Sequence, residues 1–205
     1  MARSITVRQQ LQLGLQSVGM LVAAALGVTG SAAATKAPPP EIRAFKPVAD
    51  TYVSAVRPRT NFGRARVLRV DGVPERTAYL RFDIGDTRGV IESVTLLLRS
   101  QSEARASFAV RGVDNDDWRE RRLTYANAPR LSPRYTASKP VRRGVWTAVD
   151  VTPFVEDGEA EVSLAVTTRT RRELTFGSRE SRYGPRLVIR SEETATEPSA
   201  PPGLP

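Results

Sequence analysis

Apolar and polar residues alternate in short stretches along residues 44–190, and Gly, Pro, Asp and Asn separate these stretches. The clearest alternation runs over residues 77–84, where Leu80, Phe82 and Ile84 share one face of the chain. A period of two residues predicts a strand with one buried face, whereas a helix needs a period of about 3.6 residues. The pattern therefore predicts strands rather than helices.

The domain divides into about nine short strands that are rich in Val, Leu, Thr, Tyr and Phe. The predicted strands cover residues 50–53, 67–70, 77–84, 91–99, 108–113, 145–151, 162–168, 174–176 and 186–190. Successive short strands without helices between them are typical of antiparallel sheets. The expected fold is therefore an all-β antiparallel β-sandwich of the jelly-roll-like kind.

Residues 1–34 have the composition of a secretory signal peptide. Arg3 and Arg8 give a positive start, an apolar stretch follows over residues 18–28, and small residues precede the expected cleavage site. The apolar stretch has 11 residues, well short of the ~20 that a membrane-spanning helix needs. We therefore expect secretion, with no transmembrane segment after cleavage, rather than an uncleaved anchor.

Two segments flank the predicted domain at residues 44–190. Residues 35–43 contain consecutive prolines, which predicts a stiff, extended spacer. Residues 191–205 lack large apolar side chains except Leu204, which predicts a disordered tail. We expect the chain to be a monomer.

The chain has no Cys and no His. These absences exclude disulfides, thiolate nucleophiles, Cys/His zinc sites and Ser-His-Asp triads. With 31 basic and 22 acidic residues, the formal net charge is +9, which suits nucleic acid or any other acidic polymer. Because the arginines are spread along the chain and export is expected, we expect no nucleic-acid partner.

Several short motifs follow one another along the domain. They include DTYV at 50–53, NFG at 61–63, YLRFD at 79–83, WRE at 118–120, LTYANAP at 123–129, WTAVDVT at 146–152 and FGSRE at 176–180. Together they resemble carbohydrate-binding module family 96, the DNRLRE-domain family, with Tyr125 in place of the usual Trp. The resemblance covers residues 45–189 and implies a secreted β-sandwich that binds polysaccharides, including acidic algal polymers.

Aromatic rings are candidate sugar contacts, because the C–H groups of a pyranose pack on a flat ring. Trp118 has charged neighbours that indicate an exposed loop, and Tyr125 is a further candidate. The alternative for Trp118 is packing in the core, which is the expected position of Trp146 within its strand.

Arginines form the second set of candidate ligand contacts. Four predicted strands carry one outward arginine each, namely Arg69, Arg81, Arg99 and Arg111. If those strands share a sheet, their guanidinium groups form a basic face that suits the carboxylates or sulfates of acidic sugars. The alternative is a solvated face balanced by acidic neighbours. Arg179, next to Glu180 in FGSRE, either binds the ligand or fixes a loop.

A metal ion in this chain needs oxygen ligands, which favours calcium or magnesium. The candidate calcium ligands are Asp50, Asp114, Asp116 and Asp150. The alternatives are a solvated acidic turn around Asp114 and local backbone capping by Asp50 and Asp150. A structural calcium ion is therefore an expectation, without a recognisable loop motif.

The sequence leads to a secreted, non-catalytic module that binds a polysaccharide, and the basic charge favours an acidic one. The alternative is a structural or adhesion module of the cell envelope without a glycan site. A third hypothesis is a small hydrolase or lyase, which would need paired carboxylates or a Tyr and Arg pair. No motif supports catalysis, so we expect no enzyme.

Overall fold

The computed structural model describes residues 39–85, 87 and 89–192. The predicted signal peptide and residues 193–205 of the predicted tail lie outside the described residues. The strands are β1 (Glu41–Phe45), β2 (Ala49–Ser54), β3 (Val67–Gly72), β4 (Glu75–Asp83), β5 (Val90–Arg99), β6 (Ala109–Gly112), β7 (Thr136–Ala137), β8 (Trp146–Asp150), β9 (Glu161–Thr167), β10 (Leu174–Gly177) and β11 (Arg186–Glu192).

The described part of the chain contains two helical segments, both single 3₁₀ turns, at Tyr125–Asn127 and Thr152–Phe154. Neither of these turns has the length or the apolar character that crossing a membrane requires. The described residues therefore fold almost entirely as strands and connecting loops.

The strands form two antiparallel sheets. One has four strands in the order β1-β11-β5-β8. The other has seven strands, with the order β10-β3-β4-β9-β6-β7 and with β2 paired to β4. The prediction of an all-β antiparallel β-sandwich is confirmed.

One hydrophobic core draws its side chains from both sheets. Leu80, Phe82 and Ile84 are fully buried, as their alternation predicts, and they share this core with Leu96 of β5 and Leu187 of β11. Burial of each such side chain contributes about 1.5–3 kcal/mol to stability. Core packing therefore holds together a domain that has no disulfide.

A second, smaller core lies on the opposite side of the seven-stranded sheet. Side chains alternate along a strand, so Tyr79 of β4 and Ala165 of β9 face away from the main core. Trp118 and Leu123, from the long segment 113–135, pack against them. This segment therefore folds back over the outer face of the sheet.

The two ends of the domain pair with each other. β1 begins at Glu41, inside the predicted spacer, and β11 ends at Glu192, inside the predicted tail. β1 pairs with β11 along its whole length and forms the edge of the four-stranded sheet. A strand partner so distant in sequence leaves no local pattern, which is why the sequence did not indicate β1.

Candidate functional site

The two tryptophans have the reverse of their expected positions. Trp118 is only 6% exposed, so the expectation that its ring lies on an exposed loop is wrong. Its indole N–H donates to Ser163 Oγ at 3.0 Å, and Tyr79 meets the ring edge-on at 6.1 Å between centroids. Arg81 lies over the ring, 5.5 Å from its centroid. A ring enclosed in this way has little face left for a sugar.

Trp146 is 37% exposed and lies at the start of β8 on the outer face of the four-stranded sheet. Val149 of the same strand points into the core, so residues at even numbers, including Trp146, point outward. The expectation that Trp146 is a core residue is therefore wrong. The alternation with Val149 is the sequence signal that would have identified it.

A second exposed ring lies close to Trp146. Tyr183, in the loop before β11, is 38% exposed and lies under the guanidinium of Arg99 at 3.8 Å. Arg186 of β11 lies 5.7 Å from the centre of the Trp146 ring. Arg99 and Trp146 are direct cross-strand partners. The two aromatic rings and two arginines thus form one surface.

Three grooves run across this surface, and each shares lining residues with the next. A groove of about 550 Å³ lies between Trp146 and Tyr183. Trp146 also lines a groove of about 620 Å³ on its other side. Arg182 and Arg186 connect the first groove to a third, of about 360 Å³, near Lys46. The three grooves are therefore linked in a line through shared lining residues, and Trp146 borders two of them.

The charged residues that line these three grooves are almost all basic. They are Lys46, Arg105, Lys139, Arg142, Arg179, Arg182 and Arg186, with Glu180 as the one acidic residue. The Glu180 carboxylate already accepts hydrogen bonds from Ser178 Oγ and Arg179 Nε. The line of grooves therefore offers exposed rings and net positive charge to a ligand.

The outward arginines of the predicted strands do not form one basic face. Arg69, Arg81 and Arg111 belong to the seven-stranded sheet, whereas Arg99 lies in the other sheet, at Trp146. Arg81 is largely buried and donates to the backbone oxygen of Asp116 at 2.8 Å. The expectation of a four-arginine face is wrong, because the chain places β5 and its Arg99 opposite the other three strands.

Arg69 and Tyr125 each have an acidic partner on the surface. Arg69 forms an ion pair with Glu173. The Tyr125 hydroxyl donates to the Glu75 carboxylate at 2.9 Å, and this hydrogen bond raises the pKa of Tyr125. Neither residue lines the three grooves around Trp146.

Arg179 connects several distant segments. Its guanidinium contacts both carboxylate oxygens of Glu120, at 2.9 and 3.2 Å, and donates to the backbone oxygen of Val48 at 2.9 Å. Glu120 also accepts a hydrogen bond from the backbone N–H of Asp50 at 3.1 Å. This arrangement matches the loop-fixing interpretation, and Arg179 also borders one of the grooves.

Asp50 is 2% exposed at the centre of this network. Loss of solvation raises its pKa to about 7, and the nearby carboxylates of Glu180 and Glu120 add to the rise. A hydrogen bond from the backbone N–H of Arg179 and the charge of its guanidinium oppose the rise without cancelling it. A buried carboxyl of this kind holds its proton near neutral pH.

The four candidate calcium ligands do not come together. Among the described residues, the one group of three carboxylates close enough to share an ion is Asp50, Glu120 and Glu180. Asp114, Asp116 and Asp150 are not part of it, and Asp150 Oδ1 instead accepts hydrogen bonds from Thr152. The Arg179 guanidinium already binds Glu120 and Glu180, so calcium binding stays a prediction.

The motifs that gave the family resemblance meet in this network. DTYV supplies Asp50, WRE supplies Glu120, and FGSRE supplies Arg179 and Glu180. Asn61 of NFG donates to the backbone oxygens of Glu120 and Leu123, both at 2.7 Å. The recurring residues of this network thus build the fold. Trp146 belongs to the motif WTAVDVT, whereas most basic groove residues lie outside the motifs.

Comparison with known protein families gives one match. The sequence profile of carbohydrate-binding module family 96 matches residues 41–191, from the first residue of β1 into β11. A comparison with curated proteins gives no match. The resemblance drawn from the sequence motifs is therefore confirmed.

Proposed function

Because the chain belongs to carbohydrate-binding module family 96, we propose that it is a secreted, non-catalytic module that binds an anionic polysaccharide along the grooves around Trp146. The observation that carries this proposal is the line of three connected grooves, in which exposed aromatic rings lie among basic side chains. The family membership supports the ligand class, and the basic groove lining supports an acidic ligand.

The exposed rings suit the apolar faces of sugar units. Trp146 borders two of the grooves, so a sugar chain lying across its ring extends into both. Tyr183 offers a second ring, and Arg99 holds it from one side at 3.8 Å. Rings that the protein already fixes lose little conformational entropy when a ligand binds, which favours affinity.

The basic side chains suit acidic groups on the sugar units. Arg105, Lys139 and Arg142 lie on one side of Trp146, and Arg182 and Arg186 lie on the other. A guanidinium pairs with a carboxylate or sulfate through two parallel hydrogen bonds. A neutral polymer of the same shape gains the ring contacts but none of these charge-assisted hydrogen bonds.

The non-catalytic and secreted parts of the proposal have separate support. Modules of this kind bind sugar polymers without cleaving them, and no sequence motif of catalysis is present. Secretion is supported by the signal-like composition of residues 1–34. Incubation with a polyuronate is expected to produce neither new reducing ends nor absorbance from unsaturated uronates.

The test compares a neutral polymer with its sulfated derivative and with a polyuronate. Gel retention of the full chain is measured with dextran, dextran sulfate and polygalacturonate. We expect retention by the acidic polymers, weaker retention by dextran, and a decrease as salt concentration rises, because salt screens exposed charges. Trp146→Ala is expected to weaken retention by about ten-fold, a loss comparable to that of one nucleobase stacked on an aromatic ring, about 1–3 kcal/mol.

The matched control is Tyr125→Ala, which removes an equally exposed ring that lines none of the three grooves. Its retention should equal that of the unaltered chain. Equal loss in both variants would contradict the assignment to Trp146. If the folded chain is retained by none of the polymers, the proposal fails and a structural or adhesion module becomes the better interpretation.

A further inference from the structure

A separate groove of about 440 Å³ lies on the seven-stranded sheet, beside β6, β7 and the end of β9. Tyr135 borders it and is 52% exposed, which makes it the most exposed aromatic side chain among the described residues. This groove shares no lining residue with the three grooves around Trp146. It is therefore a distinct surface feature.

Two arginines flank the Tyr135 ring. The guanidinium carbon of Arg111 lies 5.3 Å from the ring centre, and that of Arg169 lies 6.0 Å from it. Arg111 is also fixed by hydrogen bonds from its Nη1 to the backbone oxygens of Ser132, at 2.9 Å, and Pro133, at 3.4 Å. Arg111 is thus held beside the Tyr135 ring before any ligand arrives.

The remaining lining combines two large apolar residues, Phe108 and Leu131, with residues that are small or carry hydroxyl groups. Ala109, Ala137 and Thr167 contribute small side chains to the groove, and Thr170 contributes a hydroxyl group. Glu75 is the one acidic lining residue, and its carboxylate accepts a hydrogen bond from the Tyr125 hydroxyl. The groove therefore combines an exposed ring with two guanidinium groups, as the Trp146 grooves combine rings with cations.

We infer that the Tyr135 groove is a second binding site for an acidic saccharide, on a different sheet from the Trp146 site. This inference rests on the proposed function, since it takes the ligand class from it. A module with two separate sites binds a long polymer with higher avidity than either site gives alone. It also links two polymer chains, because each site holds its own chain.

The test is a count of binding sites by titration calorimetry of the full chain with a short galacturonate oligomer. We expect two sites in the unaltered chain and one site in Tyr135→Ala or in Trp146→Ala. The double variant should bind none. Arg121→Ala is the control, because Arg121 is exposed and lines neither site, and it should leave two sites.

Light scattering with long polygalacturonate tests the link between chains. The unaltered chain should increase scattering, whereas Tyr135→Ala should bind the polymer without that increase and with about ten-fold or more lower avidity. Arg169→Ala should weaken the second site without touching the Arg111 backbone contacts. The Arg111 contacts hold the loop at Ser132 and Pro133, and Arg169→Ala leaves them intact. Weaker binding by this variant therefore reports the loss of a ligand contact rather than misfolding of the loop.

The outcomes distinguish the two proposals. One site in the unaltered chain, lost in Trp146→Ala and unchanged in Tyr135→Ala, overturns the second site and leaves the proposed function intact. No binding by the folded, unaltered chain overturns the proposed function and the inference together. One site lost only in Tyr135→Ala overturns the assignment to Trp146.

Discussion

The Asp50 carboxylate accepts a hydrogen bond of 2.7 Å from the backbone N–H of Arg179, a residue 129 positions later in the chain. This bond connects β2 to the loop that follows β10. The other oxygen, Oδ1, is buried and has no hydrogen-bond partner within the described part of the chain. Glu120 and Glu180 lie close by, so the folded protein favours the protonated form of Asp50.

The first prediction concerns pH. Folding raises the pKa of Asp50 from 3.8 to about 7, so the folded state holds this proton more tightly than the unfolded chain. The stabilising contribution is complete below pH 3.8 and is lost as the pH rises through about 7. The free energy of unfolding should therefore fall by an amount on the order of 4 kcal/mol. Urea unfolding across this range, with a chelator present, measures it.

Asp50→Asn is the matched variant for this prediction. Asparagine cannot ionise, and its side-chain oxygen still accepts the hydrogen bond from the Arg179 N–H. The variant should lose most of the pH dependence and should be more stable than the unaltered chain above about pH 8. A pH slope equal in both proteins would show that Asp50 does not titrate in this range.

The second prediction concerns the guanidinium of Arg179. Arg179→Ala removes the guanidinium from both oxygens of Glu120, which keeps its hydrogen bond from the Asp50 N–H, and from the Val48 backbone oxygen. Hydrogen bonds to charged groups contribute about 1.5–3 kcal/mol each, and partial exposure of Arg179 reduces this contribution. We expect a total loss of about 1–3 kcal/mol in the free energy of unfolding.

Arg190→Ala is the control for Arg179→Ala. Arg190 pairs with Glu92 on the surface, where both side chains are nearly half exposed. Exposed ion pairs contribute about 0–1 kcal/mol, so this variant should lose less stability than Arg179→Ala. Equal losses would mean that the Arg179 contacts contribute no more than an ordinary surface pair.

The inward side of the strands was predictable because each strand carries its own alternation. Leu80, Phe82 and Ile84 needed no knowledge of their partners to be placed in the core. The same rule, applied to Val149, would have placed Trp146 outside. The mistaken prediction that Trp146 lies in the core came from a general expectation for tryptophan, which is often buried.

The position of Trp118 was not predictable by alternation. Its segment is irregular, and its neighbours Asp116 and Asp117 indicate solvent. The ring is nevertheless buried, because the segment folds back onto Tyr79 and Ala165 of the seven-stranded sheet.

The line of grooves could not be predicted from the sequence either. It joins residues from β8, β11 and several loops that only the fold brings together.

The third prediction concerns Gly63 in the NFG motif. A Cβ added at this position would overlap the backbone oxygen of Glu120, which Asn61 also contacts. Backbone cannot move aside as a flexible side chain does, so Gly63→Ala should destabilise by about 1–3 kcal/mol or more. Gly112→Ala is the control, because its nearest new neighbour is the Phe154 ring at 3.4 Å. Thermal unfolding compares the two, and equal melting temperatures would contradict the predicted overlap.

The fourth prediction separates the two tryptophans by stability and by binding. Trp118→Ala removes a buried ring and leaves Ser163 Oγ without its indole partner, so it should cost about 3–5 kcal/mol. Trp146→Ala removes a ring that lies partly in solvent, so its cost in stability should be below about 1 kcal/mol. Urea unfolding gives the two stabilities, and retention by polygalacturonate gives the two affinities.

Stability and binding should respond differently in the two variants: Trp118→Ala should lose mainly stability, and Trp146→Ala should lose mainly affinity. Trp118→Ala, measured at a temperature where it is folded, should retain polygalacturonate binding, because its ring lies under segment 113–135 and away from the grooves. Trp146→Ala should stay folded and bind polygalacturonate more weakly. A Trp118→Ala protein that is fully folded and cannot bind would contradict the assignment of a ligand site to Trp146.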